Sequence, residues 1–277
     1  MIPVRNGAAT IAQQLEALSA QTYRGTWELV IADNGSTDGT RTVVQEWSAR
    51  LPSCVVVDAS GRRGPSFARN SGARAATGDF LAFCDADDVV GAKWLESFAD
   101  AAQTFDIVAG QLDDAINPDS VRSSRPPRAQ GLARSSGLPF APSGNFGVWK
   151  RVFDATGGFD ERFAQCEDVE WSWRAQLAGF ELGFAPEAVV QYRYRASARD
   201  IARQGYGRGV SFVRLYKSYR SEGVVTPRRG RALRRWAWIV VRSPYLFSMT
   251  RRGTWLRRAS ESAGRLVGSV RFRVICL

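Results

Sequence analysis

Apolar runs and amphipathic stretches alternate at short spacing through residue 103, and this alternation constrains the fold more than any other feature of the chain. The runs are MIPV (1–4), WELVIAD (27–33), CVVVD (54–58) and DFLAFCD (79–85), all of strand length. Between them, GAATIAQQLEALSAQ sets Ile11, Leu15 and Leu18 on one helical face. STDGTRTVVQEW offers Ser36, Thr37 or Asp38 as a cap, Ser66 can cap a helix running to about Thr77, and KWLESFADAAQ reads as another helix. The pattern predicts an α/β fold, a mostly parallel sheet flanked by helices on both faces. Functional loops of such sheets leave the carboxyl ends of the strands. Asp33, Asp58 and the cluster Asp85, Asp87 and Asp88 all fall there.

The rhythm then changes. Residues 113–137 are polar and rich in Ser, Pro and Arg, the composition of a long functional loop. GNFGVWKR, a turn at Gly157–Gly158, the acidic-aromatic stretch CEDVEWSWRAQLAGF (166–180) and a last strand AVVQYRYR (188–195) follow.

Three groups of residues can carry chemistry. Asp85-Ala86-Asp87 after a strand offers hard oxygens suited to Mg²⁺ or Mn²⁺, or else an acidic turn with capping aspartates. Glu167-Asp168 reads as a helix-capping acid pair or as a general base raised by an apolar setting beside Trp171 and Trp173. Arg62, Arg63 and Arg69 precede or open a helix, where they and its N-terminal amides can contact a diphosphate, or they form a solvated basic loop. The chain has no histidine, which excludes Ser-His and Cys-His catalysis and leaves acid–base work to carboxylates. Its four cysteines have no metal-ligand spacing and imply reduced thiols in a cytoplasmic setting. No signal peptide or spanning segment is expected: WAWIVV (236–241) is cut short by Arg242 and Pro244.

Taken in order, IPVRNGAATI, ELVIADNGSTDGT, ARNSGARAATGDFLAFCDADD, GGFDERF and EDVEWSWR resemble the family 2 glycosyltransferases of the GT-A fold. The resemblance covers residues 1–195 and implies a GT-A-type, Rossmann-like domain. A nucleotide-sugar half (about 1–112) would precede an acceptor half (113–195). It implies an inverting glycosyltransferase moving a sugar from a UDP- or dTDP-activated donor to a glycan or lipid-linked acceptor, in cell-envelope polysaccharide biosynthesis. It sets Pro3, Val4, Asn6, Asp33 and Asn34 around the nucleobase and ribose, with Arg63 and Arg69 on the donor. Asp85 falls near the ribose or sugar, and Asp87 is the principal ligand of a Mg²⁺ or Mn²⁺ ion. Asp168 is the catalytic base, with Glu167 beside it holding the acceptor, and Trp171 and Asn145 lie on the acceptor side. Three departures stand out: QYRYR replaces a stretch where many relatives carry a metal-binding histidine, Asn34 replaces a second aspartate, and the first strand is short.

Charge separates the remainder. Residues 1–195 hold 19 Lys+Arg against 24 Asp+Glu, and residues 196–277 hold 19 against 3. Within this basic helical tail, Trp255, Leu256, Ala259, Ala263, Leu266, Val267, Val270 and Val274 fall in an arc of roughly 120° on a helical wheel, opposite Arg257, Arg258 and Arg265. Such a stripe either lies on an anionic membrane surface or packs on the body. The first places the protein on the inner face of the cell membrane as a peripheral protein. No nucleic-acid recognition motif is present, so no nucleic-acid partner is expected. Two rival functions are a sugar nucleotidyltransferase and a non-catalytic glycan- or membrane-binding member of the fold.

Overall fold

The computed structural model describes residues 1–122, 130–195, 197–225, 230–248 and 250–276. The first part runs β1 (Ile2–Val4), α1 (Ile11–Ser19), β2 (Leu29–Asp33), α2 (Thr40–Ser48), β3 (Cys54–Asp58), α3 (Pro65–Ala75), β4 (Phe80–Cys84), β5 (Val89–Val90), α4 (Trp94–Ala101) and β6 (Ile107–Asp113). Then come α5 (Asp119–Arg122), β7 (Ala133–Arg134), β8 (Pro139–Phe140), β9 (Asn145–Trp149), α6 (Lys150–Ala155), α7 (Glu167–Leu177) and β10 (Leu182–Gln191). The tail forms α8 (Ala198–Tyr219), α9 (Arg231–Val241), a 3₁₀ turn (Ser243–Phe247) and α10 (Arg252–Phe272). Part of the long polar stretch 113–137, residues 123–129, lies outside the described residues.

The alternating half folds as the apolar pattern requires. β1, β2 and β3 pair in parallel, in the order β1-β2-β3. β2 is buried at all five positions because helices cover both its faces. Its alternate residues enter two cores. Val30 and Ala32 join Phe83, Phe146, Phe153, Phe159 and Trp171, while Leu29 and Ile31 join Ile11, Leu15, Leu18, Trp94 and Phe98. The remaining strands form a mixed sheet, β4-β9-β6-β10-β5, in which β9 runs antiparallel to both its neighbours. The expected α/β architecture with a parallel sheet and flanking helices is present in the β1-β2-β3 and β6-β10 pairs, and β9 is an antiparallel strand added to it. β9 enters after the irregular excursion that follows β6, so no helical crossover forces it parallel. The short first strand links the sheets through Met1, whose amino group donates to Ala82 O at 2.7 Å and whose carbonyl accepts from Cys84 N at 3.2 Å.

The tail is docked on the body. Trp173 of α7 and Val213, Leu215, Tyr216 and Tyr219 of α8 share a third core. Tyr219 Oη donates to Glu170 Oε1 at 2.8 Å. α8 and α10 lie side by side through glycines: a Cβ on Gly209 would sit 2.1 Å from Glu261 O, and one on Gly264 would sit 2.1 Å from Tyr206 O. These glycines weaken an isolated helix but allow backbones to touch. The docked face of α10 therefore carries Ser262, Gly264 and Gly268, all buried, while Leu266, Val267 and Val270 face outward. Packing of the apolar stripe on the body, one of the two sequence readings, does not occur at those three positions.

Candidate active site

β4 drives Asp85, Asp87 and Asp88 onto one rim of the sheet. One carboxylate oxygen from each lies within 4.8 Å of the others. Buried Gln14 of α1 pins the turn, donating to Asp85 O at 3.1 Å and accepting from Val90 N at 2.9 Å. Asp88 is almost fully buried; its Oδ1 accepts from Arg193 N at 2.7 Å, and its Oδ2 has no partner among the described residues. Burial, with the neighbouring Asp85 charge, pushes the Asp88 carboxyl up to about 8. Asp87 is also raised by burial, although Arg195 Nη1 stands 2.8 Å from its Oδ2. An orphaned buried oxygen among hard carboxylate donors fits a Mg²⁺ or Mn²⁺ ion.

The second acid pair opens α7. Cys166 precedes it in the left-handed conformation (φ 62°), turning Glu167 and Asp168 into the first helical turn. Arg69 joins the two acid groups. Its Nη2 stands 2.6 Å from Asp85 Oδ1 and its Nη1 3.1 Å from Glu167 Oε1. Ser143 lies on the same seam: its Oγ donates to Glu167 Oε1 at 3.3 Å and its N–H to Asp168 Oδ2 at 3.3 Å. Next to it, a Cβ on Gly144 would sit 2.7 Å from Asp85 Oδ2. A side chain at position 144 would therefore push on the first acid group. Asp168 also accepts from Val169 N at 2.8 Å. Burial raises the Asp168 carboxyl above the ordinary range, opposed by the Ser143 and Val169 amides and by Arg69. Burial and the Asp168 charge raise Glu167, again opposed by Arg69.

The residues expected around a nucleobase gather where β1 and β2 end. Pro3 pairs with Ala32 and Val4 with Asp33. Asn6, at φ 53°, donates its N–H to Ser36 Oγ and accepts Thr37 N–H at 2.8 Å on Oδ1. Burial alone would raise the Asp33 carboxyl; hydrogen bonds from Ser36 and the Arg41 guanidinium outweigh it and hold the group below the usual range. Arg63 is exposed on the loop before α3.

Four expectations are corrected by burial. Trp171 is fully buried against Phe146, Phe153 and Phe159, with Nε1 donating to Thr156 Oγ1 at 3.0 Å, so it is a core residue rather than an acceptor platform. Asn145 is also fully buried: its amide donates to Gln111 O and Ala188 O and accepts from Trp94 Nε1, tying three strands to α4. The Asn34 amide closes the loop before α3, donating to Ala59 O and Arg62 O and accepting from Gly64 N, so it shapes the rim from behind. Arg69 projects from within α3 and is spent on two carboxylates, so it does not open the helix toward a diphosphate. Sequence reading left Ser143, Gly144 and Arg41 unassigned, because nothing local marks a residue whose partner is distant in the chain.

The family model "Glycosyl transferase family 2" matches residues 1–157. Glycosyltransferase AglE of Haloferax volcanii is 26% identical over 96% of this chain and 94% of its own length. Succinoglycan biosynthesis protein ExoA of Rhizobium meliloti is 27% identical over 76% of this chain and 67% of its own. Among solved structures, the mannosyltransferase PcManGT of Pyrobaculum calidifontis, in complex with GDP-Man and Mn²⁺, superposes with a TM-score of 0.67 at 20% identity, covering 96% of this chain and 85% of that one. That likeness gives a GT-A-like fold. With the family model spanning more than half of its residues, the chain belongs to glycosyl transferase family 2.

Proposed function

We propose that the cleft transfers a sugar, with inversion, from a UDP- or dTDP-activated donor to a hydroxyl of a glycan or lipid-linked acceptor. The observation that carries this reading is the Arg69 bridge, which holds Asp85 and Glu167 on one guanidinium. It sets the acid cluster and the second acid pair on one seam, so a donor and an acceptor can meet there. In this reading Asp168 takes the acceptor hydroxyl proton as that oxygen bonds to the anomeric carbon. The bond from that carbon to the diphosphate breaks on the opposite side, and the nucleoside diphosphate leaves. General-base help of this kind is worth about 10²–10⁴ in rate. Glu167, held by Arg69 and Ser143, orients the acceptor. Pro3, Val4, Asn6 and Asp33 edge the nucleoside, with Arg63 on the loop beside them. Asp85, Asp87 and Asp88 would hold Mg²⁺ or Mn²⁺, which when bound neutralises charge developing on the diphosphate. ExoA, a relative named for succinoglycan biosynthesis, favours a role in envelope polysaccharide assembly.

The tail supports a peripheral site on an anionic membrane. No described helix is long and apolar enough to cross a membrane. α9, the 3₁₀ turn and α10 nevertheless expose Leu233, Val240, Phe247 and Val270 among arginines.

The test is transfer from UDP-, dTDP- and GDP-sugars by the wild type and Asp168→Asn, with donor binding measured alongside. Loss of transfer with donor binding kept supports the assignment. Release of pyrophosphate from a sugar phosphate and a nucleoside triphosphate identifies a nucleotidyltransferase instead, and absence of any turnover in the wild type identifies a binding protein.

A further inference from the structure

Two arginines from the segment after β10 close over the acid cluster. Arg193 lies against the backbone, with its N–H on Asp88 Oδ1 at 2.7 Å, its Nε on Asp87 O at 2.9 Å and its Nη2 on Gln13 Oε1 at 2.7 Å. Arg195 differs: its recorded ion pair, Nη1 to Asp87 Oδ2 at 2.8 Å, is made to a cluster carboxylate itself. Half of the Arg195 side chain remains exposed (53%), so its guanidinium has solvent beside it to move into. Arg69, by contrast, is buried between two carboxylates and stays. Arg69 and Arg193 are thus each held by several partners, while Arg195 meets the cluster through its pair with Asp87.

We propose that Arg195 is the resident counter-ion of Asp87: it fills the cation place when the cleft is empty, gives that place to the divalent ion, and turns its guanidinium onto the donor diphosphate. The inference rests on the metal and donor reading given above. Three carboxylates crowded within 4.8 Å repel one another, and Arg195 offsets part of that repulsion in the absence of ligand. A divalent ion bound through Asp87 Oδ2 displaces it, since two cations cannot approach one carboxylate oxygen from the same direction. The displaced guanidinium, two residues from the anchored Arg193, is then beside the donor diphosphate. A planar fork suits a diphosphate better than a single carboxylate oxygen, because it can donate to two oxygens at once. Metal and nucleotide thereby favour each other: the ion frees Arg195 from Asp87, and the diphosphate takes up the freed guanidinium.

The experiment measures Mn²⁺ alone by the electron paramagnetic resonance signal of the free ion, and UDP by calorimetry with and without Mn²⁺. Wild type, Arg195→Gln, Arg195→Lys and Asp87→Asn are compared, each checked for an unchanged melting curve. Arg195 is a half-exposed ion pair, so its removal is expected to tighten Mn²⁺ binding in the absence of nucleotide by roughly two- to fivefold. The same change is expected to weaken UDP binding in the presence of Mn²⁺ by a similar factor, so the metal–nucleotide cooperativity shrinks. Arg195→Lys should restore the weak Mn²⁺ binding but only part of the UDP affinity. If Asp87→Asn abolishes Mn²⁺ binding while Arg195→Gln leaves both affinities unchanged, Arg195 is an ordinary surface ion pair and the proposal is overturned with the metal reading intact. If Asp87→Asn leaves Mn²⁺ binding unchanged, the metal reading itself fails and takes the proposal with it.

Discussion

Arg69 Nη1 lies 3.1 Å from Glu167 Oε1, and this contact joins α3 to the first turn of α7 across the cleft. The second fork of the same guanidinium holds Asp85. Replacing Arg69 with Met would leave Glu167 as a buried, unpaired carboxylate. Breaking such a pair on one side costs about 3–5 kcal/mol. Chemical denaturation of Arg69→Met is expected to show a loss in that range. Arg69→Lys keeps the charge but cannot span both acids, so it should fall between. A loss below about 1 kcal/mol would place the bridge in the class of solvent-screened surface pairs.

Acid inhibition of transfer should begin at a higher pH than an ordinary aspartate would allow. A general base works only when ionised, and burial raises the Asp168 carboxyl. The activity should therefore rise with pH through a limb above the usual aspartate value of about 3.9. Arg69 opposes that rise in both Asp168 and Glu167. In Arg69→Met the limb should move to still higher pH, a shift that simple loss of fold would not produce. The pH profile of kcat/KM for the two proteins checks this; superimposable limbs would remove Arg69 from the electrostatics of the base.

The first strands and helices were legible because each is declared locally. Ile11, Leu15 and Leu18 recur at helical spacing, and all three are buried in one core. The five-residue run of β2 has no polar face and proves buried on both sides. The acid cluster was legible for a similar reason: carboxylates at the end of an apolar strand have no structural use in its core. What failed were side chains judged by neighbours in sequence. Trp171 follows Asp168 by three residues, yet its indole points into the Phe146–Phe153–Phe159 core. Asn145 is expected on the acceptor side, while its amide is consumed by partners 34, 43 and 51 residues away. The direction of β9 was equally hidden, since an antiparallel insertion leaves no mark in periodicity.

Without bound ligand, the protein should lose stability as pH rises, through Asp88. Its folded carboxyl is raised to about 8, whereas an unfolded aspartate ionises near ~3.9. Between these values the folded state holds more protons than the unfolded one, so its stability falls with increasing pH. The contribution is full below the unfolded value and is gone once pH passes the folded one. Asp88→Asn removes the titrating group while keeping an acceptor for Arg193 N–H. Denaturation at pH 5 and pH 8 in the presence of chelator should show a smaller decline in the variant than in the wild type. Equal declines would mean that Asp88 is ionised in the folded protein throughout.

Membrane attachment should depend on side chains rather than on the presence of α10 as such. Phe247 is 92% exposed, Val270 81% and Leu233 76%, an arrangement that water disfavours and a lipid interface does not. Nearby arginines are held against aromatic rings: Arg258 lies over Trp238 at 4.2 Å and Arg251 over Tyr245 at 5.1 Å. These contacts keep basic and aromatic groups together, as an interface requires. Deleting residues 251–277 would strip α8 of its glycine-packed partner and confuse detachment with unfolding. Phe247→Ser combined with Val270→Ser leaves that packing alone. Each lost buried methylene costs about 0.8 kcal/mol of partitioning, so the pair should weaken binding to phosphatidylglycerol vesicles by well over tenfold. The wild type should also detach as salt rises and should bind phosphatidylcholine vesicles poorly, since the basic groups act through the anionic surface. Vesicle flotation of both proteins decides the matter: equal recovery in the floated fraction would exclude this face as the contact.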